Sequence, residues 1–283
     1  FMFKYNPEFG ETKIEKARMA LCIQREIDEG RGLSDGTILF DTTKVPPEKL
    51  ETYVNHCKRL RSSGLEPLNN LPRIRPAAHS HMGGIKVDEN YWAGVPGFYA
   101  AGEATGGVHG ASRLAGNGAS DVIVSGGVAG RSAANFKGSR AMRNWDDIHY
   151  KALEKIKFFT MREKGTRPEE IKTALRDTML SSAGLIRDEI SLKDGKKKLK
   201  QLQTLLEEGV QSNNLPDALR AIEVEHMLMT ASIIVEAALE RTESRGAHSR
   251  SDYPESDDIH WLHHIGFKMN QEHDIDRIKL SLK

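Results

Sequence analysis

The sequence predicts an α+β fold in which a few strands, a glycine-rich loop and a helix precede an antiparallel helical bundle. Short β-type segments and clustered glycines occupy the first part of the chain, up to about residue 118. From residue 145 onward, apolar residues instead recur at steps of three and four, which is typical of amphipathic helices. Because the loops between these helical segments are short, we expect consecutive helices to pack antiparallel.

The amino-terminal part should combine two helices with a short strand. Apolar spacing over residues 13–29 predicts a helix, and Gly30 just past its last turn marks its end. Residues 37–41 have strand character. A second helix, opened by two prolines, should follow over about 46–62.

The middle of the chain changes from β-type segments to a glycine-rich loop and then to a helix. The loop covers residues 106–118 and the helix about 119–134. Glycines on one side of that helix each cost roughly 1 kcal/mol of helix propensity, so we expect that side to pack closely against a sheet. The β-type segments are 73–78, 82–88 and 98–101.

Four amphipathic helices are expected in the second half. The first begins at about Trp145, and the second begins at a capping box formed by Thr166 and Glu169. In the fourth helix, His226 falls on the predicted apolar face, where we expect a core histidine and not a ligand. The polar tail over 243–264 should form loops. The predicted apolar face of the fourth helix consists of Leu219, Ile222, His226, Met229, Ile233 and Ala237.

Length and composition exclude several classes of protein. The 283 residues suffice for one large or two modest domains, and the net charge of +1 gives no reason to expect nucleic acid as a partner. Two cysteines, Cys22 and Cys57, make no disulfide framework and suit a reducing compartment. No apolar run approaches the ~20 residues of a membrane span. The chain opens with Phe1 and not with methionine, so we expect a piece of a longer protein.

Two features of the glycine-rich region could hold a cofactor. Glu103 follows a predicted strand and faces the glycine-rich loop, where a carboxylate suits a sugar hydroxyl; a surface or cap role is the alternative. Gly116–Ala119 leads into a predicted helix, whose free N–H groups and dipole favour an anion or a developing negative charge.

Cationic side chains in the same region suggest an acidic ligand. Arg113 offers a fork for a carboxylate and His79 adds a second donor, so together they could clamp a small dicarboxylate. His109, between glycines, either holds the loop backbone or contacts a ligand. His79 and His81 have the spacing of a metal-binding pair, but no third ligand is apparent, so we expect no metal.

Four motifs resemble the flavoprotein subunits of succinate dehydrogenase and fumarate reductase, and L-aspartate oxidase is similar over the same motifs. They occur in the family's order over nearly the whole chain. The motifs are His79-Ser-His-Met-Gly-Gly, Tyr99-Ala-Ala-Gly-Glu103-Ala, His109-Gly-Ala-Ser-Arg113-Leu-Ala-Gly-Asn117 and Glu243-Ser-Arg-Gly-Ala-His248-Ser-Arg250-Ser-Asp-Tyr-Pro254.

The resemblance implies an FAD-dependent oxidoreductase that interconverts a small dicarboxylate pair, such as succinate and fumarate, by hydride transfer at flavin N5. Residues matching the family's substrate ligands bind the carboxylates, and the amino-terminal end of the helix after the loop would stabilise the reduced flavin. By resemblance, the substrate-binding residues are His79 and Arg113, and the cofactor-binding residues are Gly102, Glu103, Asn117, Gly118 and Ala119.

Lys16 occupies the position of the family's proton-donating arginine, fourteen residues before Gly30. A lysine could donate a proton if desolvation lowered its pKa, but it cannot reproduce a guanidinium fork. Arg18 cannot simply take over that role, because on a helix it points about 200° away from Lys16. The alternative is that Lys16 is a solvated surface residue.

The resemblance begins within the family's capping domain, and the chain lacks the family's G-x-G-x-x-G unit. It thus implies a remnant of the capping and FAD-binding domains followed by the bundle, and we do not expect this piece alone to be active. The implied divisions are 1–70, the carboxyl-terminal part of the capping domain; 71–136, the carboxyl-terminal segment of the FAD-binding domain; 137–242, the helical bundle; and 243–283, the carboxyl-terminal tail.

The resemblance also implies a partner, namely an iron–sulfur electron-transfer subunit. We expect a cytoplasmic location, peripheral at the cytoplasmic face of the inner membrane, with membrane contact only through partners. Two alternatives remain open. One is an L-aspartate oxidase-like enzyme or another flavin dehydrogenase, and the other is a non-catalytic docking fragment for an electron-transfer subunit.

Overall fold

The computed structural model describes residues 1–8, 10, 14–138, 145–160, 164–270 and 275–281. The chain divides into two compact units, Phe1–His79 and Ser80–Lys283. The finer division into four domains stays a prediction.

Among its described residues, the first unit contains three α-helices, a short 3-10 helix (Met2–Lys4) and one pair of short strands. Helix α1, Lys16–Asp28, ends at Gly30, whose φ of +77° is the left-handed conformation that glycine adopts readily. Strand β1, Ile38–Leu39, pairs antiparallel with β2, Arg73–Ile74.

The single helix predicted over 46–62 is in fact two helices, α2 (Pro47–Leu50) and α3 (Val54–Ser62). Between them, the Thr52 hydroxyl donates to the carbonyl of Lys49 at 2.7 Å. Such a local side-chain bond competes with the helical ladder and helps to end α2.

The second unit begins with very little sheet. The segments 82–88 and 98–101, which the sequence predicted as strands, form only the isolated bridges Ile85–Thr105 and Trp92–Tyr99. A strand needs a continuous ladder with a neighbour, and none of the described residues supplies one for either segment. A 3-10 helix, Gly102–Ala104, follows them.

Helix α4, Asn117–Ala134, packs against this 3-10 helix. Its buried residues are Ser125 and Ala129. The close packing predicted for its glycine-rich side is absent among the described residues: a Cβ on Gly126 or Gly130 would meet nothing within 4 Å. On this helix Ile123 is also 73% exposed.

The helical bundle supplies most of the core of the second unit. Helices α6, α7 and α8 pack against one another and α5 packs on α8. The bounds are Trp145–Phe159 for α5, Pro168–Ser182 for α6, Glu189–Glu208 for α7 and Leu215–Glu240 for α8. The largest fully buried apolar side chains of this core are Ile171, Leu175, Leu192, Leu199, Val210, Val224 and Val235.

Helix α6 begins without the predicted capping box. Its N-cap residue is Arg167, whose side chain makes no capping hydrogen bond. Pro168 at the first turn sets the helical φ without such a cap. The backbone of Thr166 is instead engaged with the segment after α7, because its carbonyl accepts from Gln211 N at 3.1 Å.

The buried face of α8 is not the predicted one. His226, expected in the core, is exposed, and so are Leu219 and Met229. Because the apolar residues of α8 are spread over several sides of the helix, its sequence offers more than one plausible face, and small side chains allow the closest approach of neighbouring helices. The buried residues are Ala218, Ala221, Val224, Leu228, Ala231, Val235 and Ala238.

The tail after α8 is more ordered than the predicted loop. Strand β4, Ser249–Arg250, pairs in parallel with β3, Ile186–Arg187. Strands β5, His263–Met269, and β6, Ile275–Ser281, form an antiparallel hairpin that the sequence did not predict. Of the helices described, none has both the length and the apolar character that crossing a bilayer would require.

Candidate functional site

Arg113 in the glycine loop (residues 106–118) carries a half-buried guanidinium. Its Nη1 donates to the carbonyl of Leu114 at 3.4 Å and lies beside Gly118, where a Cβ would be 3.1 Å away. In the part of the chain that the structure describes, no carboxylate lies within ion-pair distance of it. An unpaired, partly desolvated guanidinium favours an external anion, and its planar fork suits a carboxylate.

An open hollow of about 420 Å³ runs along the glycine loop, and Arg113 itself is not among the residues that line it. Ser112 and Leu114, the neighbours of Arg113 in sequence, both line it. Its other polar side chains come from the loop, from the start of α4 and from β5. These are His109, Asn117 and His264.

His109 connects the loop to α4. Its Nε2 lies 3.3 Å from Oδ2 of Asp121, and both side chains are largely buried, at 13% and 8% exposed. Of the two roles that the sequence left open, this contact supports the structural one. The ring nevertheless borders the hollow, so it also shapes that space.

Glu103 projects from the 3-10 helix with an exposed carboxylate. One oxygen, Oε1, accepts from the backbone N–H of His81 at 2.7 Å. The preceding Gly102 is buried with φ +65°, and its N–H donates to the buried Ser125 hydroxyl at 2.9 Å. The backbone next to Glu103 is therefore fixed to α4, while the Glu103 side chain is exposed.

The amino-terminal end of α4 is uncapped. Gly116, the N-cap residue, has φ +88° and no side chain to accept from the first turn. The amides of Gly118 and Ala119 follow directly, and the helix dipole adds partial positive charge there. This end can therefore accept an anionic edge of a ligand. Asn117 borders the hollow at the same place.

The remaining predicted site residues lie in the first unit. Lys16 is the first residue of α1 and is exposed, and Arg18 donates to the carbonyl of Tyr5 at 3.3 Å. His79 is exposed and ends the unit. Their functional roles stay predictions. Among the described residues, no group of three or more potential ligands is arranged for a metal ion.

Sequence reasoning missed the contribution of the tail. The backbone N–H of Ala247 donates to the carbonyl of Ala111 at 2.9 Å, so the tail touches the loop that carries Arg113. His264 lines the hollow from β5. In the sequence, only the motif around Gly246 could have indicated this contact of the tail with the loop. Contacts between segments so distant in sequence leave no periodic pattern.

Two family models match the chain. One, described as an FAD binding domain, matches residues 3–119, and the other, described as the fumarate reductase flavoprotein C-term, matches residues 172–282. The first match contains the loop motifs and the second contains the tail motif.

Curated relatives extend the match. A fumarate reductase (CoM/CoB) subunit of Methanothermobacter marburgensis is 36% identical over 266 residues, which cover 90% of this chain and 47% of that protein. L-aspartate oxidase of Pyrococcus horikoshii is 34% identical over 196 residues, covering 69% and 34%. The chain thus spans about half, or less, of the length of these relatives.

A solved structure of quinol-fumarate reductase with menaquinol molecules has the same fold, with a TM-score of 0.87 at 25% identity over 100% of this chain and 53% of that one. The predicted fold class, helix-rich with few short strands, is confirmed. FAD is the cofactor that the matching domain indicates. On these grounds the chain belongs to the succinate dehydrogenase/fumarate reductase flavoprotein family.

Proposed function

We propose that this chain forms the part of an FAD-dependent oxidoreductase that binds the flavin side of the cofactor and one carboxylate of a small dicarboxylate. The enzyme would interconvert succinate and fumarate, or a closely related pair. The single observation that carries the proposal is the Arg113 guanidinium, unpaired among the described residues, on a loop that borders an open hollow and leads into an uncapped helix. Cationic and donor groups converge there, and an acidic ligand would satisfy them.

The residues present fit FAD. The exposed carboxylate of Glu103, which accepts from the N–H of His81, would bind a hydroxyl of the cofactor. The amides of Gly118 and Ala119 would donate to the polar edge of the flavin ring, where negative charge accumulates on reduction. When bound, FAD supplies the hydride acceptor or donor.

The substrate needs two anchors because it carries two carboxylates. Arg113 would hold one carboxylate through its fork, and His79 would hold the other. Holding both ends would align the central carbon–carbon bond, and polarisation by these two donors would favour hydride addition at one carbon. Lys16 stands at the family's proton-donor position and would deliver the proton to the other carbon.

Arg113→Ala in the flavin-loaded enzyme that contains this chain tests the proposal. Loss of a charge-assisted contact worth about 1.5–3 kcal/mol should weaken dicarboxylate binding by roughly 10- to 150-fold. Arg131→Ala, which removes an exposed arginine of α4, is the matched control and should bind normally. Unchanged binding after Arg113→Ala would refute the role of Arg113 and, with it, this assignment of the site.

The substrate is tested separately. Lys16→Arg should raise fumarate reduction if this position delivers the proton, because it restores the guanidinium that the family uses there. A comparison of succinate, fumarate and L-aspartate as substrates addresses the L-aspartate oxidase alternative, which the 34% identical relative keeps open. Turnover of L-aspartate alone would decide for that alternative.

An iron–sulfur subunit would take up or deliver the electrons. The similarity to a solved quinol-fumarate reductase supports this partner, since that protein's name joins fumarate to a quinol. Membrane contact would then be made through such partners, at the cytoplasmic face of the inner membrane. The docking-fragment alternative predicts partner binding without any response to flavin.

A further inference from the structure

A turn of the tail packs tightly against the loop that carries Arg113. This turn, Arg245–His248, is closed by two backbone hydrogen bonds between its end residues, of 2.8 and 3.0 Å. Its Ala247 N–H donates to the carbonyl of Ala111 at 2.9 Å. We call this segment the tail turn.

Only glycine permits this approach. Gly246 has φ +59°, and a Cβ there would lie 2.4 Å from the carbonyl oxygen of Ala111 and 2.9 Å from Cβ of Ser112. Both contacts involve atoms that cannot move without moving the loop backbone. A side chain at position 246 would therefore displace the residues that immediately precede Arg113.

We propose that the tail turn positions Arg113, so that Gly246 and Ala247 are positioning residues of the dicarboxylate site. The inference rests on the proposed function, because it assigns a purpose to the place of the Arg113 guanidinium. A shift of the loop by about 1 Å would break the paired hydrogen bonds between the Arg113 guanidinium and the substrate carboxylate, because such two-point pairing requires strict geometry.

The tail turn is rigid because a buried carboxylate holds it. Glu243, 0% exposed, accepts from Nη2 of Arg245 at 2.8 Å, from Nη1 of Arg241 at 2.6 Å and from the N–H of Asp257 at 2.8 Å. Arg245 also donates to Asp258 at 2.6 Å. Breaking this group would leave a buried charge unpaired, which is costly.

The turn is also fixed to the helical bundle. The His248 ring bridges the carbonyl of Arg241, 3.1 Å from Nε2, and Nη1 of Arg187, 3.0 Å from Nδ1. The buried Arg250 donates to the carbonyl of Ala238 near the end of α8 at 2.7 Å and forms a two-point ion pair with Asp252. The bundle thus sets the place of the turn.

On the loop side, Arg113 is held by weaker contacts. The N–H of Arg113 donates to Sδ of Met82 at 3.2 Å, and sulfur is a weak acceptor. The loop's own backbone bonds, Gly110 to Gly107 and Asn117 to Leu114, lie on either side of residues 111–113. The hydrogen bond from Ala247 to Ala111 therefore holds residues 111–113, the segment that those two bonds leave out.

Gly246→Ala in the flavin-loaded enzyme that contains this chain tests the proposal. We expect KM for the dicarboxylate to rise about tenfold to a hundredfold, with the FAD content per folded protein unchanged. A loss of folded protein would instead lower the apparent kcat and leave KM as it was. Gly64→Ala is the matched control, because it has φ +76° but nothing within 4 Å of a Cβ; its KM should not change.

A second variant and a second measurement cover poor folding of Gly246→Ala. Arg245→Lys keeps the positive charge but removes the guanidinium that pairs with Glu243, so we expect KM to rise less than in Gly246→Ala. Hydrogen exchange over residues 107–118 of the purified chain should be faster in both variants than in the wild type and the Gly64→Ala control. This measurement needs no substrate.

The outcomes separate the two proposals. If Arg113→Ala weakens dicarboxylate binding while the tail-turn variants keep both KM and exchange at wild-type values, the positioning role is overturned and the proposed function stands. If the variants speed exchange but Arg113→Ala leaves binding intact, the turn orders the loop for another purpose, and the proposed role of Arg113 fails.

Discussion

His248 is an imidazole that the fold keeps neutral. Burial is the main cause, and the positive charges of Arg187, Arg241 and Arg250 add to it; the hydrogen bond to the Arg241 carbonyl opposes them only in part. Together they lower the pKa of His248 to about 4. The geometry agrees, because Nδ1 accepts from Arg187 and Nε2 can then carry the proton donated to Arg241.

The neutral His248 should make the protein less stable in mild acid. Below its ordinary pKa of 6.5 the unfolded chain takes up a proton there, whereas the folded chain resists until about pH 4. The free energy of unfolding should thus fall between pH 6.5 and 4 by up to roughly 3 kcal/mol. Denaturant unfolding at a series of pH values measures it, and His248→Gln should flatten the curve in this window.

His226→Gln is the control, since it removes an exposed histidine from the same unit. It should keep the wild-type dependence on pH. Glu243 contributes at lower pH: burial opposes its ionisation, but bonds from Arg245, Asp257 N–H and Arg241 outweigh that and hold its pKa at about 2. Its stabilisation is lost only as the pH falls below about 4.5. Burial also lowers the pKa of His263, so a weaker slope can persist above that pH in His248→Gln, and an undiminished slope there would contradict the assignment to His248.

At the scale of elements, a single buried hydroxyl joins the 3-10 helix to α4. The Ser125 Oγ accepts from the N–H of Gly102 at 2.9 Å and donates to the carbonyl of Asp121 at 2.6 Å. Ser125→Ala would leave the buried Gly102 N–H without a partner, so we expect a loss of about 1–3 kcal/mol in unfolding free energy. Denaturant unfolding measures this loss. Ser120→Ala, on the exposed side of α4, should change little, and equal effects of the two would refute the role of this bond.

Helix α8 shows where sequence periodicity reaches its limit. The existence and extent of α8 follow from the sequence. Its buried face does not, because its apolar residues lie on several sides of the helix. The packing of α6 and α7 against α8 determines which face is buried, and that face consists mainly of alanines and valines. The same limit explains the bridges at 82–88 and 98–101: β-type sequence forms a strand only when another strand is available.

A substitution on each side of α8 tests the corrected face. Ala221 is fully buried, so Ala221→Leu should overpack the interface and destabilise the bundle by about 1–3 kcal/mol. Leu219 is 52% exposed, and Leu219→Ala should stay within about 0.5 kcal/mol of the wild type. Urea unfolding of the purified chain measures both values. The reverse order would restore the face that periodicity predicted.

At the scale of the whole chain, the sequence located the loop of the candidate site but not its support. Local composition indicated the glycine loop, Glu103 facing it and the helix that follows it, and the family resemblance gave roles to Arg113 and His79. The contact of Ala247 with Ala111 joins segments more than 130 residues apart in sequence. Such pairing arises from the packing of the tail on the bundle, which no local pattern encodes.

The positions of the proposed cofactor-binding groups predict which part of FAD this chain binds. The residues proposed for the cofactor, Glu103 and the start of α4, address its flavin and sugar side, and the sequence contains no G-x-G-x-x-G unit for a pyrophosphate. Riboflavin 5′-phosphate should therefore stabilise the purified chain about as well as FAD, and ADP should not stabilise it. Thermal unfolding with each ligand in excess measures this, because a ligand bound only to the folded state raises stability by RT ln(1 + [L]/Kd).

Glu103→Gln should reduce the stabilisation by both flavins, since the amide replaces a charged acceptor by a weaker one. Glu89→Gln, an exposed glutamate of the same unit, is the control and should leave both responses intact. Stabilisation by ADP alone would place the cofactor differently from the proposal. A chain that responds to neither flavin would favour the docking-fragment alternative, because its fold would then serve partner binding without holding the cofactor.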